Sequence, residues 1–469
     1  MTYFVAMIVV FILGYTAIAL EHPLKINKAA SALLTGSLLW ILYMFGAFDI
    51  FSLGVSEAWN EFAKNTGASL TRENIREFLN EHEIIRHLGD IAEILFFLMG
   101  AMTIVEITDQ HEGFRVITDR IKTTNKVKLM WMIGFITFFL SAILDNLTTT
   151  IVMVTLTKKL INDHKDRLYF ASFIVLAANA GGAFSPLGDV TTIMLWIGGQ
   201  VTTGNIILKL FIPSIVNLLV PLIILSFMIK GNIENPSTSN GQETIHDNGN
   251  KNLQDWERNL MFFMGVGGLI FVPIFKSITH LPPYMGMLFD LSIIWITVEL
   301  LHMNKVEENK ISIYGILSRI DLSTILFFLG ILSAVAALQS AGHLIQLAHL
   351  LDQTFGNVFL VGGIIGLLSA IVDNVPLVAA CMGMYPIMDP STTGYMANFV
   401  QDGTFWEYIA YTAGTGGSIL IIGSAAGVAA MGIEKIEFIW YMKKISWLAL
   451  LGYLGGIAAY YLEIILLGA

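Results

Sequence analysis

Long runs of apolar residues with few or no charges restrict what this chain can fold into. Ten runs are long enough to cross a bilayer, at 2–20, 29–48, 91–108, 168–203, 210–229, 259–275, 284–303, 322–342, 405–433 and 445–462. Only 13% of the 469 residues are charged and 55% are hydrophobic, which does not fit soluble domains. We therefore predict an all-α polytopic membrane protein, because helices satisfy their own backbone polar groups in lipid.

Four apolar segments do not suit one straight crossing. Runs 168–203 and 405–433 are too long and carry glycine clusters at their centres, so we interpret each as a broken helix. Segments 129–157 and 357–385 have 29 residues each and hold one Asp-Asn pair near the middle. Because two full crossings need about 40 residues, we interpret these two segments as re-entrant hairpins.

The two halves of the chain carry the same motifs in the same order. Three pairs match at offsets of 231, 228 and 235 residues: Asp90–Leu98 with Asp321–Leu329, Ser141–Leu147 with Ser369–Val375, and Gly181, Gly182 and Gly188 with Gly416, Gly417 and Gly423. Such self-similarity predicts a duplication, with a first repeat over 1–230 and a second over 257–469. Each repeat has five crossings, so the second copy is inverted, which is the construction of secondary transporters.

Loop composition predicts the sidedness of these repeats. With the N-terminus outside, 20 of the 26 Lys and Arg residues fall on the cytoplasmic side, as the positive-inside rule requires. Both termini are then outside, the first hairpin enters from the cytoplasm and the second from outside. Residues 231–256 have the composition of a polar cytoplasmic linker. We predict that the polar loop 47–88 forms a surface amphipathic helix. A plain solvated loop is favoured over a loop that docks a partner.

Three aspartates lie inside the hairpins and broken helices: Asp145 and Asp373 in the hairpins and Asp189 in the first broken helix. An unpaired carboxylate there costs about 3 kcal/mol or more. Free backbone groups at hairpin tips and helix breaks, together with carboxylate, amide and hydroxyl oxygens, suit a hard cation. The alternative for the hairpin aspartates is that each caps the helix that follows. The second copy has Ser424 where Asp189 stands, so the site is asymmetric.

Other side chains restrict the function further. The hairpins and broken helices contain no Lys or Arg, so an anionic substrate is disfavoured. No Walker loop, HExxH, GxSxG or Cys/His metal spacing occurs, and Cys381 is the single cysteine, so neither an enzyme nor a bound cofactor is expected. The net charge of −10 excludes nucleic acid as a partner. Glu106 suits either a proton path or a position at the membrane surface.

The segments Ser141–Thr150, Asn179–Thr192 and Ser369–Pro376 resemble those of the NhaD-type sodium/proton antiporters of bacteria. These antiporters belong to the ion transporter superfamily, together with arsenite permeases and divalent-anion/sodium symporters. The resemblance covers nearly the whole chain. It implies Na⁺ or Li⁺ export in exchange for protons, a role in pH homeostasis, the bacterial inner membrane, a homodimer, and elevator-like motion of a hairpin-bearing transport domain against a scaffold.

Carried over residue by residue, the resemblance implies sodium binding and proton exchange by Asp145, Asn146, Thr148, Asn179, Asp189, Thr191, Thr192, Ser369, Asp373, Asn374 and Ser418. The symporters of the superfamily have Ser-Asn-Thr at their hairpin tips. Here Asp-Asn-Leu and Asp-Asn-Val stand near those places, which favours protons and cations over a carboxylate substrate. An arsenite or small-anion permease of the same superfamily is the alternative, ahead of a channel or a membrane-embedded hydrolase.

We predict that the loop after the first hairpin faces the cytoplasm, because the distribution of Lys and Arg fixes the side from which this hairpin enters. A cysteine placed at Asn162 or Asp163 in a Cys381→Ser background should react with an impermeant maleimide only from the cytoplasmic side. Labelling from the periplasmic side of intact cells would show that the second copy is not inverted as proposed.

Overall fold

A computed structural model describes residues 2–118, 121, 123–233, 253–303 and 312–467 of the protein. Among these residues the regular elements are helices, with no β-strand and one isolated bridge between Asn125 and Asn232. Nine of the helices in the described ranges are long and apolar enough to cross a bilayer. The prediction of an all-α polytopic membrane protein is confirmed. Most of the predicted linker 231–256, from 234 to 252, lies outside the described residues.

Each of the eight unbroken crossings expected from the sequence is a helix. Their bounds are Thr2–Ala19, Lys28–Ser52, Ile84–Gln110, Thr203–Met228, Asp255–Thr279, Pro283–His302, Leu322–Ser340 and Ser446–Leu467. These helices leave many large apolar side chains exposed, as a lipid-facing surface requires.

The two runs expected to be broken helices are interrupted at their glycine clusters. The first broken helix consists of His164–Ala183 and Val190–Ile197, and the second of Thr404–Gly416 and Ala425–Glu434. A Cβ atom on Gly182 would lie 2.4 Å from the carbonyl oxygen of Gly188. The matching distance from Gly417 to the Gly423 carbonyl oxygen is 2.7 Å. Only glycine allows the backbone to pack so closely on itself at these breaks.

Both segments expected to be hairpins contain two helices separated at the Asp-Asn pair. The first has Lys126–Leu144 and Asn146–Leu160, and the second has Val358–Leu368 and Asn374–Met384. Asp145 is the single residue between the first two helices, and its φ of +102° is rare for a residue with a side chain. The helix His343–Phe355 precedes the second hairpin and is bent by 118° from Val358–Leu368.

The loop 47–88 is largely helical and packs on a membrane helix. It contains Glu57–Thr66, Arg72–Glu77 and a π-helix at Phe78–Glu83. The buried Trp59 ring stacks on Phe51, the two ring centroids being 4.6 Å apart and the planes 2° from parallel. The aromatic contact attaches this segment to the helix Lys28–Ser52, so its apolar face is covered rather than solvated.

The chain divides into two compact units. The first unit comprises Met1–Leu98, Asp321–Val361 and Val375–Asp389. Its helices Lys28–Ser52 and Leu322–Ser340 approach closely, since a Cβ on Gly36 would lie 2.6 Å from the carbonyl oxygen of Gly330. The Tyr43 hydroxyl donates to the Ser340 carbonyl at 2.9 Å across the same pair of helices.

The second unit comprises Met99–Ile320, Gly362–Asn374 and Pro390–Ala469, and contains both broken helices. At one end Arg167 Nε donates to the Glu434 carboxylate at 3.0 Å. At the other end the Thr202 hydroxyl donates to Asp402 at 2.8 Å. The start of each broken helix therefore meets the end of the other, and the two run antiparallel.

Equivalent hydrogen bonds connect each hairpin to the broken helix of its own copy. The Ser141 hydroxyl donates to the Ala178 carbonyl at 2.6 Å. In the second copy the Ser369 hydroxyl donates to the Ala413 carbonyl at 2.8 Å. The serines and the carbonyls are separated by the repeat offsets of 228 and 235 residues. The duplication in the sequence is therefore present as a duplicated set of contacts.

Two glycines at these hairpin contacts should not tolerate alanine. A Cβ on Gly181 would lie 2.1 Å from the Phe138 carbonyl oxygen, and one on Gly416 2.0 Å from that of Gly366. We predict that Gly181→Ala and Gly416→Ala each cost about 1–3 kcal/mol or more through overpacking, seen as a lower melting temperature in detergent. The matched control is Gly267→Ala, because a Cβ on Gly267 meets nothing within 4 Å. Equal melting of all three variants would contradict the close packing.

Candidate cation site

Asp189 lies at the centre of a buried polar network in the second unit. It is 1% exposed and precedes the second helix of the first broken helix, with an extended backbone. Its Oδ1 atom accepts hydrogen bonds from the backbone N–H of Thr191 at 2.9 Å and from the Thr191 hydroxyl at 2.8 Å. Asp189 is thus an N-cap whose second carboxylate oxygen faces other side chains.

Two asparagine amides converge on this carboxylate, one from each hairpin. Asn146 Nδ2 donates to Asp189 Oδ2 at 2.5 Å. Asn374 Nδ2 lies 3.2 and 3.3 Å from the two carboxylate oxygens. The two asparagines begin the second helices of their hairpins and are related by the repeat offset of 228. The symmetry of the repeats therefore brings two equivalent amides to a carboxylate that only the first copy has.

Asn179 connects this cluster to the second broken helix. Its Oδ1 atom accepts from Asn146 Nδ2 at 3.0 Å. Its own Nδ2 donates to the hydroxyls of Ser418 at 2.8 Å and Ser424 at 3.0 Å. The Asn179 side chain is fully buried, so each of its polar atoms depends on these partners. The network therefore spans both broken helices at the level of their breaks.

Ser424 is a member of the network that was not among the predicted site residues. It has φ −141° and ψ 151°, close to the −147° and 145° of Asp189, and it caps its helix by accepting from the Gly427 N–H at 3.1 Å. Ser424 is the counterpart of Asp189 at the repeat offset of 235 residues. This equivalence in the sequence could have predicted that Ser424 belongs to the site.

The hairpin aspartates have different surroundings. Both oxygens of Asp145 accept from Thr148, one from its N–H and one from its hydroxyl, each at 2.8 Å. These are the bonds of a helix cap, the alternative considered from the sequence. Asp373 is half-buried and directly precedes Asn374, whose amide contacts the Asp189 carboxylate. The structure thus places Asp373 beside the network, while the hydrogen bonds of Asp145 end at Thr148.

Two further predicted residues direct their hydroxyls to main-chain carbonyls. The Thr192 hydroxyl donates to the Asp189 carbonyl at 2.9 Å, and Ser369 makes the hairpin contact described above. Their observed bonds hold the helix breaks in shape. The buried Thr149 hydroxyl has no hydrogen-bond partner and is an available oxygen beside the first hairpin tip.

The oxygens gathered here are those of carboxylates, amides and hydroxyls. Over the described part of the chain, no group of three or more His, Cys, Asp or Glu residues has the arrangement of a metal site. A transition-metal centre is therefore not indicated among those residues, whereas hard monovalent cations and protons suit this donor set.

Antiparallel broken helices that meet at a buried carboxylate, in a polytopic membrane protein, define a secondary transporter. The chain belongs to the CitMHS family, described as that of a citrate transporter, whose match covers residues 7–401. It is 44% identical to sodium/proton antiporter 1 of Arabidopsis thaliana, over 97% of this chain and 72% of the relative. Sodium/proton antiporter 2 of the same plant is 41% identical, over 97% and 98%.

Bacterial relatives agree with this assignment. The Na⁺/H⁺ antiporter NhaD of Vibrio cholerae is 29% identical, over 97% of this chain and 91% of the relative. The resemblance to NhaD-type antiporters is confirmed, and the family is one of transporters.

We predict that Asp189→Asn abolishes transport while the protein still folds. An asparagine retains the cap oxygen for Thr191 but places an NH₂ group opposite the amides of Asn146 and Asn374, so we expect a stability loss of about 1–3 kcal/mol together with the loss of the titratable charge. Asp163→Asn is the matched control, because Asp163 also caps a helix but is exposed on a loop. Transport in reconstituted vesicles and melting temperature should be compared. Normal ion exchange by Asp189→Asn would show that this carboxylate is only a cap.

Proposed function

We propose that the protein is a secondary Na⁺(Li⁺)/H⁺ antiporter that exports sodium in exchange for protons. The observation that carries this proposal is the Asp189 carboxylate, buried at the break of a membrane helix and surrounded by side chains able to supply cation ligands. Ionisable groups at such positions are rare and are expected to act in transport.

Competition for one group couples the two ions. A carboxylate holds either Na⁺ or a proton, so sodium must leave before the proton binds and the proton before sodium binds again. Neither a covalent step nor a nucleotide is needed. Asp145 and Asp373 are proposed to take part as further proton- or sodium-binding carboxylates, with Asn146, Thr148, Asn179, Thr191, Thr192, Ser369, Asn374 and Ser418 as surrounding ligands or supports.

A citrate or other anionic substrate fits this site poorly. The interiors of the hairpins (129–157 and 357–385) and of the broken helices (168–203 and 405–433) contain three aspartates and no Lys or Arg, so a carboxylate substrate would meet like charge without a fixed counter-charge. The three relatives named above are all called sodium/proton antiporters, and these names support a cation as the substrate. An arsenite or small-anion permease is the second candidate, because the family description is that of an anion transporter.

A cavity of about 420 Å³ lies beside the second helix of the first hairpin. Ile151, Thr155 and Lys159 line it from the helix Asn146–Leu160, and Asp109 is among its other lining residues. These three residues follow one face of the helix, from the side of the hairpin tip to the C-terminal end, where Lys159 lies. We infer that this is the cytoplasmic route by which sodium approaches.

The wider setting is also part of the proposal. Relatives occur in a plant and in bacteria, and we propose the inner membrane of a bacterium, with both termini outside, as the location. Sodium export against proton uptake would serve pH homeostasis, and a homodimer is the proposed assembly.

Everted membrane vesicles test the proposed exchange. Addition of Na⁺ or Li⁺ to vesicles that hold a proton gradient should collapse the gradient, mostly at neutral to alkaline pH, because protons compete with the cation at lower pH. A pH-sensitive dye follows the collapse, choline chloride is the salt control, and vesicles with Asp189→Asn should not respond. Sodium-independent uptake of arsenite or a dicarboxylate, without gradient collapse, would replace antiport by the second candidate.

A further inference from the structure

Hydrogen-bond donors already occupy both oxygens of Asp189. Oδ1 accepts from the N–H and the hydroxyl of Thr191, and Oδ2 accepts from Asn146. The Asn374 amide lies within 3.3 Å of both oxygens. A carboxylate has about four lone-pair sites, so these contacts use its accepting capacity. A sodium ion can therefore reach the carboxylate only if at least one amide donor gives way.

An asparagine amide can change from donor to ligand without leaving its place. Its oxygen and its NH₂ group have nearly the same size, and a half turn about the Cβ–Cγ bond exchanges them. With NH₂ towards Asp189 the amide compensates the negative charge. With the oxygen in that place, it repels a bare carboxylate but coordinates a cation beside it.

Asn146 cannot make this turn alone. Its Nδ2 atom also donates to Asn179 Oδ1, so after the turn two amide oxygens would face each other. If Asn179 turns as well, its NH₂ donates to Asn146 and its oxygen faces Ser418 and Ser424. A serine hydroxyl accepts or donates equally well, so the chain of bonds can reverse its direction without losing a partner.

We propose that Asn146 and Asn374 serve Asp189 in two ways, donating their NH₂ groups to the carboxylate in the sodium-free state and turning their oxygens to Na⁺ in the bound state. Asn179 is the positioning residue in this exchange, because it must turn together with Asn146. Its turn reverses the direction of its hydrogen bonds with Ser418 and Ser424 in the second broken helix. This inference rests on the proposed sodium/proton exchange and adds how the site passes from one ion to the other.

Infrared difference spectroscopy on the full-length protein in lipid tests the turn directly. Spectra with Na⁺ minus spectra with choline, recorded on protein carrying ¹³C in the asparagine side-chain carbonyl, should show label-sensitive C=O bands. Asn146→Ala and Asn374→Ala should each remove part of the signal. Asn398→Ala is the control, because its amide bonds to the Tyr395 carbonyl, and it should leave the signal intact.

The variant Asn179→Asp distinguishes the proposed turn from a simple electrostatic effect, because the two predict opposite changes in the KM for Na⁺. An aspartate accepts but does not donate, so it holds the Asn146 NH₂ group in its present direction. We expect the KM for Na⁺ to rise about tenfold at alkaline pH, as the loss of one buried hydrogen bond would produce, with a shifted pH profile. An added negative charge acting alone would instead lower the KM. Folding is checked by melting temperature.

The outcomes separate this inference from the proposed function. Label-sensitive asparagine bands with a raised KM support the turning amides. Sodium-induced thermal stabilisation without asparagine bands, or a lowered KM in Asn179→Asp, overturns the inference and leaves sodium exchange standing. Absence of both sodium-induced stabilisation and exchange in the unmodified protein overturns the proposed function and the inference with it.

Discussion

The removal of the Asp189 carboxylate from water is the constraint on which the rest of this structure depends. An unpaired carboxylate within a membrane costs about 3 kcal/mol or more, and here the N–H and O–H groups of Thr191 and the amides of Asn146 and Asn374 offset that cost. The Thr191 donors require an interrupted helix, and the amides require two hairpin tips at the same depth. The glycine clusters and the Asp-Asn pairs, which look unrelated in the sequence, thus serve the same carboxylate.

A symmetric frame holds an asymmetric site. The hairpin contacts of Ser141 and Ser369 repeat in both copies, and Asp189 and Ser424 have the same backbone conformation. Yet Asn374 of the second copy contacts Asp189 of the first copy rather than Ser424, the helix cap in its own copy. One negative group therefore draws on both repeats, which explains why the second copy can retain its asparagine while carrying only a hydroxyl at the position of the aspartate.

The crossings and the helix breaks were predictable because hydropathy, glycine clusters and the repeat offsets are local or periodic features of the sequence. Asn179 and Ser418 were expected at the site only because the resemblance to NhaD-type antiporters implied them. The choice of hydrogen-bond partner was not predictable. Ser424 stands 235 residues from Asp189 and enters the network only because the broken helices lie antiparallel. Asp145 has a positive φ and its carboxylate accepts from Thr148, a local geometry that residue identity does not determine. The aromatic attachment of the loop 47–88 likewise depends on tertiary packing.

The bonds from Arg167 to Glu434 and from Thr202 to Asp402 join the two broken helices at both ends. A single interrupted helix would act as a hinge at its break, because the backbone there lacks the regular hydrogen bonds that stiffen a helix. Two such helices fastened together at both ends resist bending, since neither break can open without separating one of the end contacts. The pair therefore behaves as one stiff element, and the polar network around Asp189 keeps its arrangement as long as both end contacts hold.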